Sequence, residues 1–156
     1  MSDIIQMLPI GVVRSDRGVA IDDDWDGIAA RIELDPDLIA AAATAGLDSF
    51  SHIDVVFVFD RVDPDSVCRG ARHPRGNTEW PLVGILAQRA RDRPNRIGVT
   101  TCRVVGVDGH TIHVSGLDAI DGSPVLDIKP HLTGFDPRGE VVEPQWAIDL
   151  MSGYWR

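Results

Sequence analysis

The sequence has no long hydrophobic run, few cysteines and comparatively little positive charge. No apolar run approaches the roughly 18–20 residues of a membrane-spanning helix, and the N-terminus lacks the basic-then-apolar pattern of a signal peptide. Cys68 and Cys102 lie far apart without CxxC spacing, which favours reduced thiols and a cytoplasmic location, although the count alone permits one disulfide. The glycine-rich Rossmann fingerprint and the phosphate loop are also missing, which disfavours the common nucleotide-binding folds.

Positive charge is unevenly placed as well as scarce. The 156 residues include 15 Lys+Arg and 24 Asp+Glu, for a net charge of −9. Seven arginines and only two acids lie between residues 69 and 96, so this arginine island carries +5 and the rest of the chain −14. The net charge argues against nonspecific nucleic-acid binding, which depends on neutralising phosphates. The arginine island predicts a local site for an anion.

Short strand-like runs and turn formers alternate along the chain. The 15 glycines and 10 prolines are spread out, as expected for strands joined by turns. Crossover helices are too few for a doubly wound sheet. We therefore predict a mainly β, single-domain β-barrel over residues 1–156, with one or two short helices. The predicted strands are Ile10–Arg14, Ala30–Leu34, Ile53–Phe59, Leu82–Ala87, Ile97–Val107, Thr111–Val114 and Val125–Lys129.

Capping signals predict where the helices lie. Asp35 fits an N-cap, Pro36 the first helical position and Gly46 a left-handed C-terminal cap, which together predict a helix of about ten residues. Residues Glu143–Met151 are the second candidate, with an amphipathic pattern. Asp108-Gly109 is a strong turn signal and predicts a hairpin between two strands.

The loop Arg89–Arg96 is the first candidate binding site. A guanidinium is planar and suits carboxylates and phosphates in fixed geometry. Pro94 and Asn95 stiffen the turn, and Gly98 permits a close approach to the backbone. We expect this loop to bind a ligand; the alternative is a solvated basic surface loop.

A second candidate site follows the predicted hairpin. The segment Gly116–Asp118 precedes Asp121–Pro124, a sequence that an ordinary tight turn would also show. Three acids with a lysine nearby favour a ligand site, because a carboxylate near a strand end can accept hydrogen bonds from ribose hydroxyls. These residues are Asp118, Asp121, Asp127 and Lys129.

Three further features are interpreted as structural. His110 and His113 would point to opposite faces of a strand, so no metal site is predicted. Cys102 lies in mid-strand and fits a small buried residue better than a nucleophile. The run Asp22–Asp24 lacks the alternating ligands and closing glutamate of a calcium loop, and we expect it to be solvated.

Five ordered blocks of sequence resemble one known family, the TrmO family of S-adenosylmethionine-dependent tRNA methyltransferases. The resemblance extends from residue 10 to residue 130 at compatible spacing. Two of the blocks are Arg93–Gly98 (RPNRIG) and Gly116–Pro130 (GLDAIDGSPVLDIKP). The others are Ile10–Ser15, Gly46–His52 with the strand that follows, and His73–Gly76.

The resemblance implies a fold, an activity and a set of site residues. It implies a β-barrel unlike other methyltransferases, a homodimer with S-adenosylmethionine near the subunit interface, and methylation of N6 of threonylcarbamoyladenosine beside the tRNA anticodon. By position, the cofactor contacts would be Asp60, Arg61, Arg89, Val99, Ser115, Gly116, Leu117 and Asp118. The methyl acceptor would face the run Asp127–Pro130, and the catalytic candidates would be Asp127, Lys129 and His131.

The catalytic candidates have different expected roles. A urea-like N–H is a poor nucleophile, so transfer to it should benefit from a nearby base. Asp127 and His131 are the candidates for that base, and Lys129 would orient the acceptor or tune their pKa values. A histidine at this position would titrate near neutrality.

The chain departs from the TrmO pattern at three places. The acidic segment Ile21–Asp26 replaces a Pro-Arg-Gln signature, Arg96 replaces a second proline, and His131 replaces a tyrosine. The leading hypothesis is a tRNA base N-methyltransferase. The rivals are a methyltransferase of the same fold that acts on a small molecule, favoured by the net charge of −9, and a non-catalytic cofactor-binding module. No membrane partner is expected.

Overall fold

Six antiparallel strands close into a barrel in the computed structural model, which describes residues 3–156. The strands are β1 Gly11–Ser15, β2 Ala29–Leu34, β3 His52–Val58, β4 Ala71–Arg72, β5 Val83–Gly84, β6 Ile97–Asp108, β7 Thr111–Ser115 and β8 Pro124–Pro130. The order around the barrel is β1-β2-β7-β6-β3-β8, and β8 pairs with β1 to close it. The strands β4 and β5 form a separate two-stranded sheet. The mainly β barrel predicted from sequence is confirmed.

The barrel forms because its strands alternate apolar and polar side chains. In β3, Ile53, Val55 and Phe57 are buried, while Asp54 and Val56 are only partly so. Burial of each such apolar side chain stabilises the fold by about 1.5–3 kcal/mol. Residues from β1, β2, β6, β7 and β8 complete the core: Val13, Ile32, Cys102, Ile112, Val114 and Val125.

Gly98 allows β6 to pass close to the core. A Cβ atom at this position would lie 2.6 Å from Cζ of Phe57 and 2.9 Å from Cζ of Phe59. The close approach expected at Gly98 is therefore present, but its partners are two aromatic rings of the barrel. Gly109 has φ 57° in the predicted β6–β7 hairpin turn, a conformation that favours glycine.

Strand β6 is longer than its neighbour β7. It pairs with β3 from Ile97 to Arg103, whereas its pairing with β7 begins only at Arg103 opposite Ser115. Among the described strands, none pairs with the β7-side edge of Ile97–Cys102. Backbone groups on this edge are free to meet side chains and ligands.

Two predictions of local structure were wrong. The segment 35–46 is not one helix: a single turn after Asp35 is followed by extended Ala40 and a 3-10 turn, Ala41–Thr44. The Thr44 hydroxyl donates to the carbonyl of Gly109 at 2.9 Å, so a tertiary contact prevails over alanine propensity. Segment 82–87 forms only the two-residue β5 and a 3-10 turn, Ile85–Ala87.

The last structural elements are a helix and a short terminal segment, residues 152–156. Helix α1, Gln145–Met151, matches the predicted C-terminal helix and buries none of its residues. Trp25 N–H donates to the carbonyl of Tyr154 at 2.9 Å, and Asp24 N–H to that of Gly153 at 3.3 Å. No helix within residues 3–156 has the length and apolarity to cross a membrane.

Candidate functional site

Two predicted cofactor contacts meet on consecutive residues of the open β6 edge. Arg89 Nη2 donates to the carbonyl of Val99 at 2.6 Å. The hydroxyl of the next residue, Thr100, donates to Oδ1 of Asp118. Thr100 is buried, Asp118 is half-buried and Arg89 is exposed. The fold therefore places a guanidinium and a carboxylate at the same strand edge, although the two are 29 positions apart in the chain.

The second oxygen of Asp118 is bound by Tyr154, which no sequence motif predicted as a site residue. The Tyr154 hydroxyl donates to Oδ2 of Asp118. Burial, and then the Asp118 carboxylate, raise the pKa of Tyr154, so the phenol stays protonated and remains a donor. A signal was available, because this is the one tyrosine of the chain, but no local motif connects it to Asp118.

The segment before Asp118 closes one end of the barrel. Ser115 is paired on both sides, with Ala29 of β2 and Arg103 of β6. Gly116 has φ 75°, and no atom lies within 4 Å of where its Cβ would be. Leu117 is fully buried in the core, so its side chain packs and offers no surface to a ligand. The cofactor contact expected at Leu117 stays a prediction, and in the structure its side chain packs in the core.

Asp60 and Arg61 lie just beyond the end of β3. Arg61 donates to the carbonyl of Gly18 at 2.6 Å and to the carbonyl of Asp121 at 2.8 Å. It therefore connects the loop after β1 with the segment that carries Asp118. Asp60 is exposed beside it.

Most arginines of the arginine island stabilise loops. Arg72 forms a bidentate ion pair with Asp92, and Arg75 pairs with Asp23 at 2.9 Å. Three more donate to backbone carbonyls: Arg91 to Ala20, Arg93 to Gln88 and Arg96 to Val62. Several guanidinium groups therefore brace loops from within, and ligand binding by the loop Arg89–Arg96 stays a prediction.

The acidic loop Ile21–Asp26 lies against the arginine island. Trp25 is buried, its indole N–H donates to the carbonyl of Ile21 at 3.1 Å, and Arg17 lies 4.3 Å from the centre of its ring. Asp23 pairs with Arg75. Asp22 and Asp24 are exposed, as expected for a solvated run, but the sequence did not predict that the loop is anchored.

The three catalytic candidates lie at the other edge of β3, on β8 and just after it. Asp127 Oδ2 lies 2.7 Å from Lys129 Nζ, and this hydrogen bond raises the pKa of Lys129. Lys129 is opposite Asp54 of β3, and Asp127 is opposite Val56. The pair is a cation and a carboxylate on a face open to solvent, with side-chain exposures of 68% and 45%.

His131 is held between two carboxylates. Its Nδ1 lies 3.2 Å from Asp54 Oδ1, and its Nε2 lies 2.9 Å from Asp136 Oδ1. The hydrogen bond to Asp54 raises the pKa of His131, and the one to Asp136 adds to it. When both ring nitrogens donate, no lone pair is left to take a proton. The geometry therefore favours an orienting cation over the neutral base expected from the sequence.

Strand β3 separates the two groups of residues. Val56 is paired with Val99 of β6 on one side and with Asp127 of β8 on the other. Two inter-strand spacings put these backbones about 10 Å apart. Cys102 lies near both groups: burial, and then the Asp118 and Asp54 carboxylates, raise its pKa to about 12, which leaves an unreactive thiol.

The chemistry of the β6 edge fits S-adenosylmethionine. That cofactor presents a carboxylate, ribose hydroxyls and an adenine, which call for a guanidinium, a fixed carboxylate and backbone groups. Arg89 uses one N–H on Val99, Asp118 is fixed on both oxygens, and Gly116 leaves open space. An open pocket of about 350 Å³ lies beside the terminal segment, and its lining includes none of these residues. Its lining includes Asp24, Arg75, Trp80, Ser152 and Gly153.

Metal ligands do not gather in this part of the molecule. Within residues 3–156, no group of three or more His, Cys, Asp or Glu side chains is placed to hold a metal ion. The donor set at the β6 edge consists of one guanidinium, hydroxyls, one carboxylate and backbone carbonyls. It suits an organic ligand with both anionic and hydroxyl groups.

The fold is a small, closed antiparallel β-barrel with a fixed carboxylate at an open strand edge. This class of domain is distinct from the doubly wound nucleotide-binding proteins. Within that class, residues 21–137 match the family model of the tRNA-methyltransferase O N-terminal domain. The chain belongs to this family, as the resemblance in the sequence indicated.

Individual relatives differ in length. The tRNA (adenine(37)-N6)-methyltransferase of Homo sapiens is 39% identical over 107 residues, which are 69% of this chain and 24% of that protein. A probable S-adenosyl-L-methionine-binding protein of Methanothermobacter thermautotrophicus is 35% identical over 147 residues, 89% of this chain and 99% of that protein. The crystal structure of TrmO from Pseudomonas aeruginosa superposes with a TM-score of 0.73 at 28% identity, covering 90% of this chain and 61% of that one.

Proposed function

We propose that this chain is an S-adenosylmethionine-dependent N-methyltransferase built on a single barrel domain. The carrying observation is the β6 edge, where Val99 and Thr100 hold Arg89 and Asp118 on consecutive residues. Similarity along nearly the full length of the archaeal protein named a probable S-adenosyl-L-methionine-binding protein supports the cofactor. Family membership supports methyl transfer.

Each cofactor-site residue has a proposed task. Arg89 binds the amino-acid carboxylate with the N–H groups not used on Val99, and Asp118 accepts hydrogen bonds from ribose hydroxyls. Ser115 offers its hydroxyl and Gly116 its carbonyl, while Asp60 and Arg61 border the site. The cofactor supplies, when bound, a methyl group on a sulfonium. Leu117 supports the segment from the core.

The catalytic residues act on the acceptor nitrogen. Asp127 accepts the proton that this nitrogen loses, and Lys129 holds the Asp127 carboxylate in place at 2.7 Å. His131, fixed by Asp54 and Asp136, orients the acceptor as a hydrogen-bond donor. Positioning and exclusion of water supply most of the remaining rate enhancement.

The proposed acceptor is N6 of threonylcarbamoyladenosine next to the anticodon of tRNA. The name of the human relative, a tRNA (adenine(37)-N6)-methyltransferase, supports an adenine in tRNA. The test is incubation of the chain with S-adenosylmethionine and bulk tRNA, followed by mass spectrometry of the nucleosides. One added methyl group on threonylcarbamoyladenosine is expected, and its absence in a preparation that binds the cofactor would exclude this acceptor.

A small-molecule acceptor is the second candidate. The observation in its favour is the acidic loop, where Asp23 neutralises Arg75 and Asp22 and Asp24 stay exposed, in a chain of net charge −9. Phosphates would be repelled from this side of the molecule. The same methylation assay distinguishes the candidates, because a small-molecule enzyme binds S-adenosylmethionine but leaves tRNA unmodified. Calorimetric titration with S-adenosylmethionine separates both from a module that binds another ligand.

The proposed active form is a cytoplasmic homodimer. The resemblance implies a cofactor site near a subunit interface, and Val99 and Leu86 are exposed apolar residues close to the site, at 44% and 81%. Light scattering coupled to size-exclusion chromatography tests this. A dimeric mass is expected, and a monomeric mass at assay concentration would contradict it.

A further inference from the structure

The Asp118 carboxylate is bound by two neutral hydroxyl groups. Thr100 donates to Oδ1 from the barrel wall, and Tyr154 donates to Oδ2 from the terminal segment. Among residues 3–156, no lysine, arginine or histidine forms a salt bridge with this carboxylate. Both oxygens of the Asp118 carboxylate are therefore held by hydrogen bonds, and no cationic side chain neutralises its charge.

Tyr154 is delivered to this position by backbone contacts. Trp25 N–H donates to the Tyr154 carbonyl at 2.9 Å, and buried Trp25 anchors the acidic loop. The adjacent helix α1 buries none of its residues, so the terminal segment is attached mainly by these hydrogen bonds and by the phenol. The acidic loop and the terminal segment therefore form a support for one side chain.

We propose that Tyr154 is a positioning residue of the cofactor site, which with Thr100 fixes the Asp118 carboxylate for ribose hydroxyls. This inference rests on the proposed function, because it assumes that Asp118 binds the cofactor. A carboxylate has about four acceptor positions, so two hydroxyl donors leave room for a ligand. Fixing the carboxylate in advance removes part of the ordering cost of binding.

The charge around the phenol agrees with this role. Burial and the Asp118 carboxylate raise the pKa of Tyr154, while Arg89 and Arg75 act in the opposite direction. Tyr154 therefore lies within the field of the guanidinium proposed for the cofactor's carboxylate. A protonated phenol in this place donates to Asp118 and adds no negative charge.

Binding of S-adenosylmethionine to Tyr154→Phe provides the first test. Phenylalanine keeps the ring and removes only the hydroxyl, and loss of one hydrogen bond should weaken binding about three- to tenfold. Thr100→Val should act in the same direction. Ser49→Ala is the matched control, since it removes an exposed hydroxyl that donates one hydrogen bond, to the carbonyl of Gly46 at 2.6 Å, away from the proposed site. Affinity of Tyr154→Phe equal to that of the control, with or without a loss of thermal stability, would overturn the proposal.

The second test uses Tyr154 as the one tyrosine of the chain. Its ionisation is followed by tyrosinate absorbance over the pH range in which circular dichroism shows the fold intact. The phenol should ionise above its ordinary pKa of about 10, and Asp118→Asn should bring it down. With S-adenosylmethionine added, the Tyr154 phenol should still ionise above its ordinary pKa. Ionisation near the ordinary pKa in the bound state would mean that the cofactor displaces Tyr154, and would overturn the positioning role.

The two proposals fail in different ways. If the wild-type chain does not bind S-adenosylmethionine, the proposed function fails whatever Tyr154 does. If the wild type binds and Asp118→Asn does not, but Tyr154→Phe binds as tightly as the wild type, only the positioning role fails.

Discussion

The two sides of strand β3 hold their carboxylates differently. On the β6 side, half-buried Asp118 is fixed by the hydroxyls of Thr100 and Tyr154. On the β8 side, Asp127 pairs with exposed Lys129, and Asp54 pairs with His131. Neutral donors in a sheltered place are insensitive to salt, whereas exposed ion pairs are screened and rearrange easily. The difference fits a preformed binding group on one side and groups that adapt to an incoming acceptor on the other.

Asp118→Asn should have the largest effect on cofactor binding. Hydrogen bonds to a charged group contribute about 1.5–3 kcal/mol, so affinity for S-adenosylmethionine should fall about 10- to 100-fold. Calorimetry measures it. Asp108→Asn, at the exposed hairpin end of β6, is the control and should bind normally. If the two variants bind alike, the β6 side is not the cofactor side.

Asp127→Asn should lower turnover without lowering the affinity for S-adenosylmethionine. Loss of a positioned base lowers turnover about 100-fold or more, while the cofactor affinity should stay as in the wild type. The measurement is single-turnover methylation beside calorimetry on the same preparation. Equal losses of turnover and affinity would place Asp127 in the cofactor site instead.

His131→Ala should lower turnover more than cofactor affinity, because the residue is proposed to orient the acceptor. Since the proposed role needs a hydrogen-bond donor, His131→Gln should retain part of the activity as a neutral donor. Steady-state kinetics and calorimetry on both variants test it. Equal loss of turnover and affinity, or no loss of either, would count against the role.

The same residue predicts a dependence of stability on pH. Asp54, and then Asp136, raise the folded pKa of His131. Its stabilising contribution is therefore fully present below the unfolded pKa of about 6.5 and is lost as pH rises through the higher folded pKa. Denaturant unfolding of the wild type and His131→Gln at several pH values should show a stability difference that shrinks with rising pH. A constant difference would contradict the pairing.

Asp23→Asn should have the smallest effect. Its ion pair with Arg75 is partly exposed, so the change in unfolding free energy should be below about 1 kcal/mol and should vanish in high salt. Thermal unfolding at two salt concentrations measures it. A larger change that persists in salt would show that the acidic loop is held by more than charge.

The barrel could be predicted from the sequence because its signals are local. The runs in β3, β6 and β8 are rich in β-branched residues, and Asp108-Gly109 fixes a hairpin. The segment 35–46 carries equally clear helix signals, but its outcome depends on a hydrogen bond from Thr44 to Gly109, 65 positions away. Local patterns contain no information on such contacts.

The candidate site was predictable only in part for the same reason. The resemblance pointed to Arg89, Val99 and Asp118, and the fold places them along one strand edge. The partners that decide their chemistry are distant: Tyr154 is 36 positions from Asp118, and Asp54 is 77 from His131. The internal contacts of the arginine island could not be predicted, because the partners of Arg75 and Arg91 come from the acidic loop and the residue before it.

The close approach at Gly98 limits how this site can be redesigned. Even an alanine methyl at this position would collide with the rings of Phe57 and Phe59, and the rings or the strand would have to shift. Val99 and Thr100 follow directly, so a shift of the strand would displace the proposed cofactor contacts, and misplacement by about 1 Å can cost about 100-fold in rate. A library that varies cofactor or acceptor preference should therefore leave positions 57 and 98 constant and diversify exposed Val99.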